Sequence, residues 1–244
     1  MNRELFAWHS PALNKEMPIV SYGHFGDVLL LVPTAAADYL EYERFLLIDA
    51  LAPFIDAGII KVYSIDSINN ESWLNKSMPD WDKAVRHDQW NNYIYNEVIP
   101  YIKLNSGEAP IYISGASFGA LHSMNLFLKR PDLINGVIAM SGVYDLTEYS
   151  GGFMNDTVYY NSPAHYMPNL TDHHILETIR KSNHIHILTG SGAYEDPKAG
   201  GEFAKILYNK GINYEFDNWG EDYKHDWPTW REMLPHYIGT RFMK

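Results

Sequence analysis

Two glycines flank a serine at two-residue spacing in Gly115-Ala116-Ser117-Phe118-Gly119. The residues just before, Ile111, Tyr112 and Ile113, are β-branched or aromatic, as expected of a buried strand. The residues after, Ala120 to Lys129, include Leu121, Met124, Leu126 and Leu128, all good helix formers, and Pro131 closes the segment. Ser117 is therefore expected on a sharp strand-to-helix turn. Side chains at 115 and 119 would collide with neighbouring chain there, so glycine is required. This is the G-x-S-x-G elbow, which presents a serine hydroxyl as a nucleophile. A plain glycine-rich turn would show the same five residues, but the strand and helix on either side favour the nucleophile.

A serine hydroxyl is a weak nucleophile without a general base, and the base needs an orienting carboxylate. Behind an elbow of this kind the acid and then the histidine follow in chain order. The apolar run Ile185 to Leu188 leads into a Gly-rich loop holding the adjacent pair Glu195 and Asp196. Neighbouring side chains diverge, so only one can face the serine. Glu195 is favoured, Asp196 is the alternative, and Asp145 one strand earlier is a third option. The carboxylate left over is expected to cap the helix that follows, where the positive dipole end favours anions. For the base, His225 lies in a loop before a helix opened by Pro228. His236 and His122 sit inside helices, where packing or surface roles are the commoner use. His173-His174 and the strand-spaced His184 and His186 lack a nearby third ligand, so no metal site is expected.

An oxyanion needs backbone N–H donors. One is expected from Phe118, the residue after the nucleophile. The other is expected from the loop Pro33-Thr34-Ala35-Ala36-Ala37, with Ala35 as the choice among its small residues. Trp73, Tyr144, Tyr194 and Trp227 are candidates for a substrate pocket. Core packing is at least as common a use for each.

These groups have to be positioned by a scaffold, and the remaining sequence describes one. Strands are expected at Leu5 to Trp8, Pro18 to Tyr22, Val28 to Val32, Ile59 to Ile65, Gly136 to Met140, Ile185 to Leu188 and Asn213 to Trp219, besides the one before Ser117. Helices are expected near residues 39–57, 82–104, 120–129, 176–181, 201–209 and 228–238, with Pro100 ending or kinking the second. Strands alternating with helices imply an α/β fold: a mostly parallel sheet with helices on both faces. The stretch Val143 to Asn183 breaks the alternation. It reads as a small insert over the site, or as a long ordered surface loop.

With 244 residues the chain suits a single domain spanning 1–244. There is no cysteine, which excludes disulfides, thiolate metal sites and cysteine nucleophiles. A formal net charge of −11 argues against nucleic-acid and anionic-membrane partners. The N-terminal residues lack a basic and then apolar leader, and no apolar stretch reaches spanning length, so a cytoplasmic location is expected. A homo-oligomer is possible but not legible.

The elbow at Gly115 to Gly119, Gly142-Val143-Tyr144-Asp145, Tyr194-Glu195-Asp196-Pro197 and His225-Asp226-Trp227-Pro228 together resemble the putative esterase group of the α/β-hydrolases. That group includes esterase-D-like and enterochelin-type esterases. Residues 67–75 (SINNESWLN) and the segment Asp88 to Tyr101 resemble it too, so the likeness spans nearly the whole chain. The serine motif is widely shared; the His-Asp-Trp-Pro ending is more specific. The resemblance implies an α/β-hydrolase fold and a serine carboxylesterase acting on a small-molecule ester without a cofactor. Ser117 would be its nucleophile, His225 its base and the Glu195–Asp196 pair its acid. The loop Pro33 to Ala37 departs from the Gly-rich or His-Gly pattern of lipases. The rival expectations are a non-catalytic relative of the same fold that binds a ligand or partner, and an acyltransferase.

Overall fold

The computed structural model describes residues 1–242; the last two positions of the expected 1–244 domain lie outside the described residues. Eight strands form one sheet: β1 (Arg3–Ser10), β2 (Lys15–Tyr22), β3 (Asp27–Val32), β4 (Ile60–Ile65), β5 (Ile111–Ala116), β6 (Gly136–Met140), β7 (Ile185–Thr189) and β8 (Glu215–Asn218). Their order is β1-β2-β4-β3-β5-β6-β7-β8. β1 pairs antiparallel with β2, and β2 antiparallel with β4. Every later pairing is parallel. β3 through β7 are almost wholly buried. Buried on both faces, they read as continuous apolar runs such as Val28 to Val32 rather than as alternation.

Two large apolar clusters cover the two faces. One holds α3 (Asp80–Tyr93), α4 (Ile99–Ser106), α5 (Phe118–Lys129) and α9 (Pro197–Asn209). The other holds α1 (Glu41–Arg44), α2 (Leu47–Asp56) and α10 (Trp227–Tyr237). This is the mostly parallel sheet with helices on both faces that the alternation of strands and helices predicts, and it agrees with the α/β-hydrolase fold that the resemblance implies.

The structure differs from the sequence reading in three places. The helix expected over 39–57 is split into α1 and α2 by Leu46 at φ 63, which turns the chain with no glycine or proline to announce it. Pro100 does not end its helix. A π-helical turn, Ile94–Val98, precedes it, and the wider turn accommodates the ring and the missing donor at the start of α4. The stretch 143–183 is not a cap throughout. It folds into α6 (Asp156–Tyr159), α7 (Pro163–Tyr166) and α8 (His173–Arg180). Asn161 anchors it through buried amide hydrogen bonds from Asn91 (2.8 Å) and Asn125 (3.1 Å). Its later part shares a cavity of about 390 Å³ with Leu128 and Lys129, at the end of α5 remote from Ser117. Beside the residue that follows the serine, Tyr149 stacks on Phe118 at 4.4 Å, and Leu146 and Val158 join Phe118 in a small apolar cluster.

Candidate active site

Ser117 lies between β5 and α5 at φ 56 and ψ −122, a backbone conformation that L-residues rarely adopt. The glycines explain how the turn closes. A Cβ on Gly115 would lie 2.4 Å from the Gly119 carbonyl oxygen, and one on Gly119 would lie 2.5 Å from the Pro33 carbonyl oxygen. The turn therefore packs backbone on backbone against the end of β3. Phe118 opens α5, so its amide lacks a carbonyl one turn upstream and is free for a ligand.

His225 arrives from the loop before α10 and brings Nε2 to 2.9 Å from Ser117 Oγ. The ring packs edge-on against Trp230 at 5.3 Å, and its backbone amide donates to the Ala193 carbonyl. The loops carrying Glu195 and His225 are laced together: Gly192 N–H donates to the Tyr223 carbonyl and Ser191 N–H to that of Gly220. A Cβ on Gly190 would lie 2.0 Å from the Tyr223 oxygen, so these loops can meet only at glycine.

Glu195 Oε2 lies 3.6 Å from His225 Nδ1, and its side chain is 0 % exposed. Burial pushes the carboxyl up, but hydrogen bonds from His225 and Ser141 outweigh it and hold Glu195 below the usual carboxylate range. Ser141 Oγ donates to Glu195 Oε1 at 2.5 Å and accepts from Trp230 Nε1 at 2.9 Å; Thr189 Oγ1 donates to Oε2 at 3.3 Å. Ser141 holds this place at φ 50, just past the end of β6. Asp196 turns away and caps α9, accepting from the Lys198 and Ala199 amides. Asp145 accepts from the Thr147 amide and hydroxyl in a local turn.

The loop expected to supply the second donor follows β3. Glu41, buried in α1, accepts from the Thr34 amide at 2.9 Å and from its hydroxyl at 2.5 Å. Burial pushes the Glu41 carboxyl up despite these bonds. Asn69 Nδ2 donates to the Ala35 carbonyl at 2.7 Å, and Ser67 Oγ to that of Ala37.

The four proposed pocket residues are not assembled into one wall. Trp73 is buried beneath Phe118 and Leu121 in a small apolar cluster, with Ala35 and Tyr149 at its margin. Tyr144 is a correction: it is fully buried in the main core and stacks on Phe203 at 4.3 Å. Tyr194 is also corrected, being 94 % exposed at φ 66. Trp227 opens α10 and stacks flat on Phe45 at 4.5 Å. The sequence reading missed Ser141, Trp230, Thr189, Glu41, Asn69 and Tyr149 as neighbours of the site. Ser141 and Thr189 could have been found as the residues just past two expected buried strands; the others carry no local signal. His186 pairs with Glu215 at 3.0 Å, and among the described residues no group of three or more His, Asp or Glu could hold a metal ion. No helix among them is long and apolar enough to cross a membrane.

The chain matches a family model described as "Putative esterase" over residues 41–239. No curated protein matches. Among solved structures it is similar to a ferulic acid esterase, with TM-score 0.76 and 19% identity, covering 100% of this chain and 98% of that one. It is similar to an S-formylglutathione hydrolase from Agrobacterium tumefaciens, with TM-score 0.72 and 13% identity, covering 97% and 93% of the two chains. It is also similar to a fluorophosphonate-binding serine hydrolase of Staphylococcus aureus, with TM-score 0.71 and 15% identity, covering 100% and 99%. Likeness at such identities speaks for the fold, and the family match speaks for the chemistry. On both grounds the chain belongs to the putative esterase family, carboxylic ester hydrolases built on the α/β-hydrolase fold.

Proposed function

We propose that the protein is a serine carboxylesterase for a small-molecule ester, with Ser117 as nucleophile, His225 as base and Glu195 as orienting acid. The same reading treats residues 1–244 as one hydrolase domain. The observation that carries it is the 2.9 Å approach of His225 Nε2 to Ser117 Oγ, with the buried Glu195 carboxylate behind the ring.

In this reading His225 takes the Ser117 hydroxyl proton as Oγ attacks the ester carbonyl. The carbonyl oxygen becomes an oxyanion held by the Phe118 amide and an amide of the Ala35 loop, each worth about 3–4 kcal/mol in such sites. Collapse breaks the bond to the alkoxy oxygen, which leaves as an alcohol carrying the proton from His225. Water, deprotonated by His225, then attacks the acyl-enzyme; the acid departs and the proton returns to Ser117. Glu195 fixes Nδ1 as the protonated nitrogen and stabilises the transient imidazolium.

Fluorophosphonate labelling read by intact mass spectrometry tests this. Wild type is expected to gain one adduct and hydrolyse short p-nitrophenyl esters, and Ser117→Ala to do neither. A folded wild type that stays unlabelled and inactive would overturn the reading.

A further inference from the structure

The oxyanion loop has no glycines of its own. Pro33-Thr34-Ala35-Ala36-Ala37 is held from outside, and the hold on Ala35 runs deeper than one bond. Asn69 is 2 % exposed. Its Nδ2 donates to Ala35 O at 2.7 Å and lies 3.5 Å from Thr34 O. Its Oδ1 faces His122 Nε2 at 2.9 Å. A backbone carbonyl can only accept, so the Asn69 N–H₂ must face the loop and its Oδ1 is left facing His122. An amide oxygen also only accepts, so His122 carries its proton on Nε2.

The peptide group is planar and trans, so its C=O and N–H point in opposite directions. The Ala35 carbonyl is held at 2.7 Å, so the Ala36 amide of the same peptide faces away from Asn69; the 3.5 Å contact to the Thr34 carbonyl orients the Ala35 amide more weakly in the same sense. His122 itself stands one turn along α5 from Phe118, with the two rings 4.5 Å apart. His122 also stacks on His87 at 4.5 Å. One buried chain of contacts thus joins the helix that offers the Phe118 amide to the loop that offers the Ala35 amide.

We propose that Asn69 and His122 are positioning residues that hold the two halves of the oxyanion site in register. The proposal rests on the serine esterase reading above. The pair acts through backbone amides and touches no reacting atom. It also takes the place of the glycine-rich loop found in lipases: the loop is shaped by an amide clamp rather than by its own conformational freedom. His122 suits the task because burial holds it neutral, far below the usual imidazole range, as it does His87. The clamp therefore keeps one hydrogen-bonding pattern across the working pH range.

The test uses the full chain, as wild type, Asn69→Ala, His122→Phe and His122→Gln. It reads kcat and KM on short p-nitrophenyl esters, and Ki for an alkyl trifluoromethyl ketone whose adduct bears the oxyanion. Asn69→Ala and His122→Phe are expected to lower kcat and weaken the ketone in parallel, by about 10- to 100-fold, with KM little changed. His122→Gln retains an N–H donor and is expected to recover most of the loss. A residue that only supported the fold would lower activity through the folded fraction and leave the Ki of the remaining enzyme unchanged. ¹⁵N-histidine NMR on wild type needs no variant to fold. It is expected to show His122 as the neutral Nε2–H form from pH 8 to pH 5. The Nδ1–H form, or titration in the ordinary imidazole range, would overturn the clamp. So would folded Asn69→Ala and His122→Phe with wild-type kcat and Ki beside a labelled, active wild type. An unlabelled and inactive wild type would instead overturn the serine reading, and the clamp with it.

Discussion

Glu195 and Asp196 are neighbours in sequence with separable duties in space. Glu195→Gln keeps the shape but removes the charge behind His225. We expect kcat to fall by about 10³- to 10⁴-fold with Tm nearly unchanged. Asp196→Ala removes a helix cap, at a cost of about 1 kcal/mol in stability, and kcat should stay within twofold. Paired urea titrations and steady-state kinetics distinguish the two; a reversal would mean that the acid has been misassigned. Behind Glu195, Ser141 relays a hydrogen bond from Trp230. Ser141→Ala leaves the indole N–H unpaired and the buried carboxylate short of a donor, so it should cost about 2–4 kcal/mol. The carboxyl would also move up towards its ordinary value, and carboxyl ¹³C NMR of the folded variant reads that shift directly. At this scale chain order, loop position and residue type brought Ser117, His225 and the Glu195–Asp196 pair into view. The choice within the pair depends on which way a loop turns, and no local pattern records that. The supporting groups Asn69, Glu41 and Trp230 were hidden because they come from elements distant in sequence.

At the scale of elements, apolar runs marked all eight strands, six of them to within two residues at both ends; β2 begins three residues earlier than expected and β5 ends three later. β1 runs two residues further both ways, from Arg3 to Ser10, with most of its side chains exposed, so burial could not mark its ends. The elbow carries the proposed nucleophile. Gly119→Ala would press a methyl group onto the Pro33 carbonyl at the foot of the donor loop. We expect a loss of about 3 kcal/mol in stability from overpacking, together with loss of fluorophosphonate labelling in whatever remains folded. Wild-type labelling in that variant would show that the turn has slack. Helix breaks were the least legible feature. Nothing in Phe45-Leu46-Leu47 signals a left-handed residue, because the surrounding helical periodicity continues through it. Leu46→Gly should relieve that conformation and raise stability by up to about 1 kcal/mol, measurable by thermal melting.

At the scale of the whole molecule, buried histidines set the response to acid. Burial lowers His87 to about 3 and His186 to about 4, and holds His122 well below its usual range. The unfolded chain takes up these protons as pH falls through about 6.5, and the folded chain does not. Stability should therefore fall below pH 6.5, by about 1.4 kcal/mol per pH unit for each histidine still neutral. Asp66, pushed up to about 6 chiefly by burial, binds its proton earlier when folded and offsets about one of the three. Urea midpoints at pH 7, 6 and 5 should drop in step, and His87→Phe should flatten the slope. A flat wild-type profile would show that the histidines find protons in the folded state. The sheet and its two covering layers could be read from the rhythm of the sequence. The course of 143–183 could not, because it is anchored by single polar contacts such as Asn161 rather than by a periodic apolar face.

Three non-glycine residues around the site, Ser117, Ser141 and Tyr194, have positive φ. Each such conformation costs on the order of 1–3 kcal/mol, and glycine would relieve much of it. Ser117→Gly should thus melt about 2–4 °C above wild type while being inert. Directed evolution that screens for heat tolerance alone would enrich such inert variants. A thermostable descendant has to gain its margin at positions such as Leu46, where relaxing the backbone leaves the chemistry intact.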